Sequence, residues 1–329
     1  MTILAIETSC DETAAAVLRG ENLLSSEVAS QIPLHALTGG VVPEVASRNH
    51  LRTLRPVIAA ALQKAGATIS EVDVFAATRG PGLATSLMIG LSTAKGMALA
   101  LQRPFAAVNH IEAHLLSPFF GCGGVRPAVG LVVSGGHTML VEIEAVGKYR
   151  LLGKTQDDAA GEAFDKVGKL LGLPYPGGPN VNRLAHKGDA RRFDFPRSML
   201  GSGDFAFSFS GLKTSVRYLL QKMEQVPVAD VCASFQEAVT DVLVEKTMRA
   251  VLATRRSVVA VSGGVSCNSR LREKLAAACS ARGIELLLAE SSLCTDNAAM
   301  IAYVASLRIS EGHPSALTED IDPNLRLTA

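Results

Sequence analysis

The sequence predicts an α/β protein built from two copies of one module. Three observations carry this expectation. Strand-like and helix-like segments alternate along the chain. A pattern of apolar run, small polar turn and apolar run occurs at the start and again from Ala128. Each copy is followed by a strand that enters a glycine turn and a helix. The length of 329 residues fits about two domains at ~150 residues each.

In the first copy, Ile3-Leu4-Ala5-Ile6 is a short apolar run. It ends at Glu7-Thr8-Ser9-Cys10-Asp11-Glu12-Thr13, and residues 14–18 are apolar again, which reads as strand, turn, strand. Pro43 starts a 3.6-period segment with Val45, Leu51, Leu54, Val57, Ile58 and Leu62 on one face, stopping near Gly66. Residues 72–77 form a buried-strand candidate, followed by the breaker run Arg79-Gly80-Pro81-Gly82 and a helix over 84–101. The second copy runs Val129-Gly130-Leu131-Val132-Val133, the turn Ser134-Gly135-Gly136-His137-Thr138, then Met139-Leu140-Val141-Glu142-Ile143. Helices are expected over 157–171, 228–249 and 269–281, and a strand over 258–262 that enters Gly263-Gly264-Val265-Ser266. A ligand between the copies is the natural expectation for a duplicated α/β frame.

Composition narrows the function. Apolar residues make up 48% and charged residues 19%, below the roughly 25% charged of an average domain, so the chain folds rather than staying disordered. With 32 basic and 31 acidic residues, it has no overall field to grip a polyanion, and a nucleic acid must meet a local patch. Cys10, Cys122, Cys232, Cys267, Cys279 and Cys294 form no C-x-x-C pair and read as reduced thiols, which fits a cytosolic address. No signal-peptide pattern opens the sequence and no uninterrupted apolar stretch approaches a membrane span, so no membrane partner is expected.

The three glycine turns can bring backbone N–H groups close to an anion, although none is a Walker A or G-x-G-x-x-G sequence. In Asn109-His110-Ile111-Glu112-Ala113-His114, two histidines four apart share one helix face, a way to present two imidazoles to one metal. Asp296, opening an apolar helix, is the candidate third ligand. A zincin reading is disfavoured because Ile111, not an acid, follows the first histidine. Glu7, Asp11, Glu12, Asp157, Asp158 and Glu162 read mostly as ordinary turn and helix-start acids, while Asp165 sits deeper in its helix. Pro174-Tyr175-Pro176-Gly177-Gly178-Pro179 and Phe207-Ser208-Phe209-Ser210-Gly211-Leu212-Lys213 are either ligand loops or constrained connections. Basic groups at Arg48, Arg52 and Arg55, at Arg191, Arg192 and Arg197, and at Arg270, Arg272 and Lys274 read as solvated faces.

Together with Gly39-Gly40-Val41-Val42-Pro43-Glu44, Asp158-Ala159-Ala160-Gly161-Glu162-Ala163-Phe164-Asp165-Lys166 and Cys294-Thr295-Asp296-Asn297, these motifs occur in an order that resembles the bacterial TsaD family of tRNA adenosine threonylcarbamoyltransferases, once labelled O-sialoglycoprotein endopeptidases. The resemblance runs from near residue 1 to about 310. It implies an actin-like, Hsp70-like and sugar-kinase-like (ASKHA) fold, with two duplicated ribonuclease H-like lobes around a nucleotide cleft. The expected division is residues 1–105 plus 300–329 for the N-terminal lobe and 106–299 for the C-terminal lobe.

The implied reaction moves threonylcarbamoyl from threonylcarbamoyl-AMP to N6 of the adenosine immediately 3′ of the anticodon, in tRNAs that read ANN codons, forming t6A. His110, His114 and Asp296 match the family's ligands for one divalent metal, Fe2+ or Zn2+. Val133, Ser134, Gly135, Gly136, His137, Asp165, Gly178 and Asn268 match contacts to the adenylate. Asn182 departs from the pattern, since many relatives carry an acid there against the ligand's sugar. Among Glu12, Asp11 and His137, Glu12 is the choice for the group that takes the amine proton. The implied partners are tRNA, a TsaB-like paralogue and a TsaE-like ATPase, with ATP and Mg2+ used in the complex. The competing readings are an ATP-dependent kinase or ATPase of the same fold, which would not need two helix-borne histidines, and a non-catalytic scaffold paralogue, which would lack them.

Overall fold

The fold was obtained as a computed structural model and is described for residues 1–36 and 39–328. Two compact units divide the chain, Met1–Gly124 with Thr295–Ala329, and Val125–Cys294.

In the first unit, β1 (Thr2–Glu7), β2 (Glu12–Arg19) and β3 (Asn22–Ser30) form an antiparallel meander. A short helix α1 (Ile32–Ala36) and the long α2 (Pro43–Lys64) follow, then β4 (Val74–Gly80), α3 (Ala84–Leu101), β5 (Phe105–Asn109) and α4 (His110–Leu116). β4 pairs parallel to β1 and β5 parallel to β4, giving the strand order β3-β2-β1-β4-β5. β1 is apolar at consecutive positions and buried throughout, as a strand covered on both faces requires.

The second unit repeats the plan. β6 (Ala128–Val133), β7 (Thr138–Ala145) and β8 (Lys148–Lys154) form the meander. Then come α5 (Ala160–Leu170), α6 (Gly177–Ala185), α7 (Ser210–Leu220), α8 (Val228–Thr254), β9 (Val258–Ser262), α9 (Ser269–Ser280), β10 (Glu285–Leu288) and α10 (Ser291–Cys294). Its order, β10-β9-β6-β7-β8, is the first sheet's order strand for strand, with β9 and β10 parallel to β6. The duplication expected from the sequence is therefore present in topology. Gly263, with φ 90°, ends β9 where a Cβ would lie 2.4 Å from the Val133 carbonyl oxygen, so the parallel neighbours can converge only at glycine.

The last helix, α11 (Ala298–Ser310), returns to the first unit and packs on β1, β2 and α4. Beyond it the chain clasps that unit. Ser315 N–H donates to the Phe105 carbonyl, Asp322 N–H to that of Arg79, and Gly82 N–H to that of Pro323. Asn109 Nδ2 donates to the Arg326 carbonyl, and Lys95 to that of Glu319.

Three expectations need correction. The units divide at 124/125 and 294/295 rather than at 105/106 and 299/300, because β5 pairs with β4 and carries α4 with it. On α2 the buried stripe is Ala46, His50, Leu54, Val57 and Ala61, while Val45 and Leu51 are exposed. The polar His50 belongs inside because it bonds Thr13 Oγ1 at 2.8 Å and donates to the Cys10 carbonyl at 3.0 Å. Finally, α3 is, among the described residues, the one helix long and apolar enough by composition to cross a membrane. Its Leu87, Gly90, Leu91, Ala94 and Ala98 are nevertheless buried, and it packs on β4.

Candidate functional site

β5 runs straight into α4, and Asn109 makes the junction. Its Oδ1 accepts from Ile111 N–H at 2.8 Å and Glu112 N–H at 3.2 Å, a side-chain N-cap that starts the helix at His110. The 3.6-residue turn then puts His110 and His114 on one face, with ring centroids 4.7 Å apart and planes at 89°. Asp296 arrives just before α11, whose N-cap Asn297 accepts from Met300 N–H at 2.9 Å. Asp296 Oδ1 lies 3.0 Å from His114 Nε2 and 3.5 Å from His110 Nε2. The ligand atoms of the three side chains fall within 4.8 Å of one another.

This donor set fits a divalent metal. Two imidazole nitrogens and a carboxylate oxygen are the borderline ligands that zinc and iron accept, and three protein ligands leave coordination positions open to substrate. The outer contact at His110 fits as well. Glu7, fully buried at the end of β1, has Oε2 3.0 Å from His110 Nδ1 and accepts from Thr78 Oγ1 at 2.6 Å. With Nδ1–H donated to Glu7, the His110 Nε2 lone pair is left for the metal. Burial opposes charge on His110, yet Asp296 and Glu7 outweigh it and push the ring up to about 9. Burial likewise raises Glu7, but the His110 charge beside it wins and holds the carboxyl below its ordinary value. Two carboxylates thus hold positive charge at this spot.

Glu12 opens β2, and its Oε1 accepts from Ser30 Oγ at 2.9 Å, while Oε2 is buried without a hydrogen-bond partner. Burial pushes its carboxyl up to about 8; Ser30 counteracts this and the charges of Asp11 and Asp296 reinforce it.

In the second unit the expected adenylate residues are tied to one another. Val133 ends β6, and in the following turn Ser134 N–H donates to the His137 carbonyl at 2.7 Å. Gly135 and Gly136 are exposed there. Gly161 of α5 packs on this turn so closely that a Cβ would lie 2.6 Å from the Ser134 carbonyl oxygen. One turn later Asp165 Oδ1 accepts from Gly177 N–H at 2.7 Å and Gly178 N–H at 3.4 Å, capping α6. Of the Pro174 to Pro179 segment read as a loop, residues 174–176 are non-helical as expected, and residues 177–179 are the start of α6. Asn182 Oδ1 accepts from Ser269 Oγ at 3.0 Å, and the neighbouring Asn268 donates Nδ2 to Gln236 Oε1 at 2.7 Å and accepts from Leu271 N–H at 3.0 Å. A cavity of about 230 Å³ lined by His186, Gln236, Ser269, Arg270 and Glu273 adjoins these residues.

Three groups have roles that only the fold reveals. Glu7 was ranked with ordinary turn acids; its signal was an acid at the end of an unbroken apolar strand. Asp157 clamps the Phe207 to Lys213 segment, taking Ser208 Oγ at 2.5 Å, Ser210 Oγ at 2.6 Å and Phe209 N–H at 2.8 Å. Gln236 had no signal at all. The basic clusters are largely paired, Arg48 with Glu44, Arg192 with Asp230, Arg197 with Asp241, and Arg270 and Lys274 with Glu237.

Residues 22–303 match the family model of TsaD, tRNA N6-adenosine threonylcarbamoyltransferase. The tRNA N6-adenosine threonylcarbamoyltransferase of Geotalea uraniireducens is 54% identical over 98% of this chain and 96% of its own length, and that of Geobacter sulfurreducens is 53% identical over the same shares. The Clostridium perfringens enzyme of that name is 46% identical over 99% of this chain and 98% of its own. Among solved structures, full-length HypF in its phosphate- and nucleotide-bound form aligns with a TM-score of 0.62 and 13% identity, covering 94% of this chain and 46% of that one. Component A of the Acidaminococcus fermentans (R)-2-hydroxyglutaryl-CoA dehydratase gives 0.56 and 15%, covering 92% and 96%. These likenesses speak for the fold, and bear out the expected ASKHA class. By family match and by near full-length identity to its relatives, the chain belongs to the TsaD family of tRNA N6-adenosine threonylcarbamoyltransferases.

Proposed function

We propose that this transferase forms t6A by moving threonylcarbamoyl from threonylcarbamoyl-AMP to N6 of the adenosine immediately 3′ of the anticodon in tRNAs that read ANN codons. The observation that carries the reading is the convergence of His110, His114 and Asp296, which the kinase and scaffold alternatives do not call for. These three would hold one Fe2+ or Zn2+. Bound there, the metal supplies Lewis-acid polarisation of a carbonyl oxygen. Glu7 keeps Nε2 of His110 free for that role.

On the adenylate side, the exposed amides of Gly135 and Gly136 suit a phosphate oxygen, and Asn268 and Asn182 suit the nucleoside, held in place by Gln236 and Ser269. The amine of adenosine attacks the carbamoyl carbon, the bond from that carbon to the phosphate oxygen breaks, and AMP leaves. Glu12 takes the amine proton, the elevated basicity that burial gives its carboxylate serving that task. The working setting is cytoplasmic, with tRNA held with the help of a TsaB-like paralogue and a TsaE-like ATPase that uses ATP and Mg2+.

The test supplies the purified chain and its partners with threonylcarbamoyl-AMP and unmodified tRNA, and reads t6A by nucleoside mass spectrometry. The wild type is expected to form t6A and His110→Ala to lose both bound metal and product. Equal turnover by a metal-free His110→Ala variant overturns the reading.

A further inference from the structure

Glu112 lies between the two histidines in sequence but about 200° around the helix from His110 at 100° per residue, so it faces away from the metal-binding side of α4. It is 1% exposed, and an acid is almost never buried so completely without a partner. Its Oε2 accepts from Arg308 Nη2 at 2.5 Å. The same guanidinium reaches the strand that feeds α4, since Arg308 Nη1 donates to the Ala107 carbonyl of β5 at 3.2 Å. Arg308 sits in the last turn of α11, the helix that Asp296 precedes.

We propose that the Glu112–Arg308 pair is the brace that keeps His110 and His114 in register with Asp296, which makes both side chains positioning residues of the metal site. The inference rests on the metal reading above. α11 begins at Ala298, so Asp296 and Arg308 flank roughly 15 Å of helix at 1.5 Å per residue. α4 is therefore held through two opposite faces, by the histidine–Asp296 contacts on one and by the Glu112–Arg308 ion pair on the other. Contacts on one face alone leave a short helix free to roll about them, whereas contacts on two opposite faces fix both its roll and its slide. A buried pair of this kind contributes more to geometry than to net stability, because desolvation of the two charges offsets most of their attraction.

The test titrates metal-free protein with Zn2+ against a chromophoric chelator, with thermal melting measured on the same samples. Glu112→Gln and the double variant Glu112→Leu/Arg308→Met are compared with the wild type and with His110→Ala. The double variant leaves no unpaired buried charge, so its fold should persist. Zinc binding is expected to weaken by about 10-fold or more in both, the range seen when outer contacts of a metal site are lost, with the double variant melting close to wild type. Should the double variant not fold, Arg308→Lys carries the test. It keeps a cation opposite Glu112 but has no second arm for the Ala107 carbonyl, and its affinity is expected to fall about threefold, between wild type and Glu112→Gln. Wild-type zinc affinity in a folded double variant, or in Arg308→Lys where that variant carries the test, overturns the brace. A wild-type chain that takes up neither Zn2+ nor Fe2+ overturns the metal reading instead, a result that no variant can mimic.

Discussion

Replacing Glu7 by Gln exchanges one carboxylate oxygen for an NH2 group and should undo the metal site. The carboxylate accepts from Ser9 N–H, from the Thr78 hydroxyl and from His110 Nδ1–H, and all of these groups are buried. A glutamine can keep its oxygen on Ser9, but it then presents an NH2 group to His110 Nδ1. The ring can accept that bond only by moving its own proton to Nε2, the atom that faces Asp296 at 3.5 Å. If the amide flips instead, Ser9 N–H loses its acceptor at a cost of about 1–3 kcal/mol. Either way zinc affinity should fall about 10- to 100-fold, or roughly 1.4–2.8 kcal/mol. Equilibrium dialysis against buffered Zn2+, read by elemental analysis of the protein fraction, measures it directly. Retention within twofold of wild type would show that the Glu7–His110 bond does not set the tautomer.

Further outcomes follow from the same contacts. Because burial raises Glu12 to about 8, kcat/KM for transfer should climb with pH through that value and level off above it, and Glu12→Gln should remove the climb. The stability trend runs oppositely: the fold favours the protonated carboxyl, so Glu12 contributes most below its ordinary value of 4.5 and that contribution is lost as pH rises to about 8, a slope that melting curves of Glu12→Gln should lack. Asp157→Ala releases the Phe207 to Lys213 segment; as Asp157 is itself exposed, a loss of about 1 kcal/mol, or roughly 2–4 °C in Tm, is expected by calorimetry. Gln236→Leu leaves Asn268 Nδ2 without its 2.7 Å partner, and titration calorimetry with AMP should show about 10-fold weaker binding; unchanged affinity would remove Asn268 from the adenylate contacts.

Local signals were legible where one segment decided its own conformation. The bounds of α3 were read correctly because Pro81-Gly82 breaks the chain before residue 84 and the apolar spacing runs unbroken to 101. The histidine pair was legible because a four-residue interval on a helix fixes its own geometry. Segments defined by their neighbours were not. β3, with NLLSSEVAS, and β8, with KYRLLGK, are edge strands, and only pairing with β2 and β7 makes them strands at all. The start of α6 reads as a proline-glycine loop because its cap, Asp165, lies on the preceding helix. The same blindness hid Glu7, whose importance depends on a ring 103 residues away in sequence, and Gln236, whose partner lies 32 residues on.

The clasp formed by the closing residues has a practical side. Asn109, the residue that starts the histidine helix, also grips the Arg326 carbonyl, and the Gly80-Pro81-Gly82 corner is pinned by Asp322 and Pro323. Removing the residues beyond α11 takes from Asn109 Nδ2 its acceptor and from the glycine-proline corner its two backbone bonds, and so loosens the residue that caps the histidine helix. Metal loading is therefore compared fairly between preparations only where these clasping residues are kept.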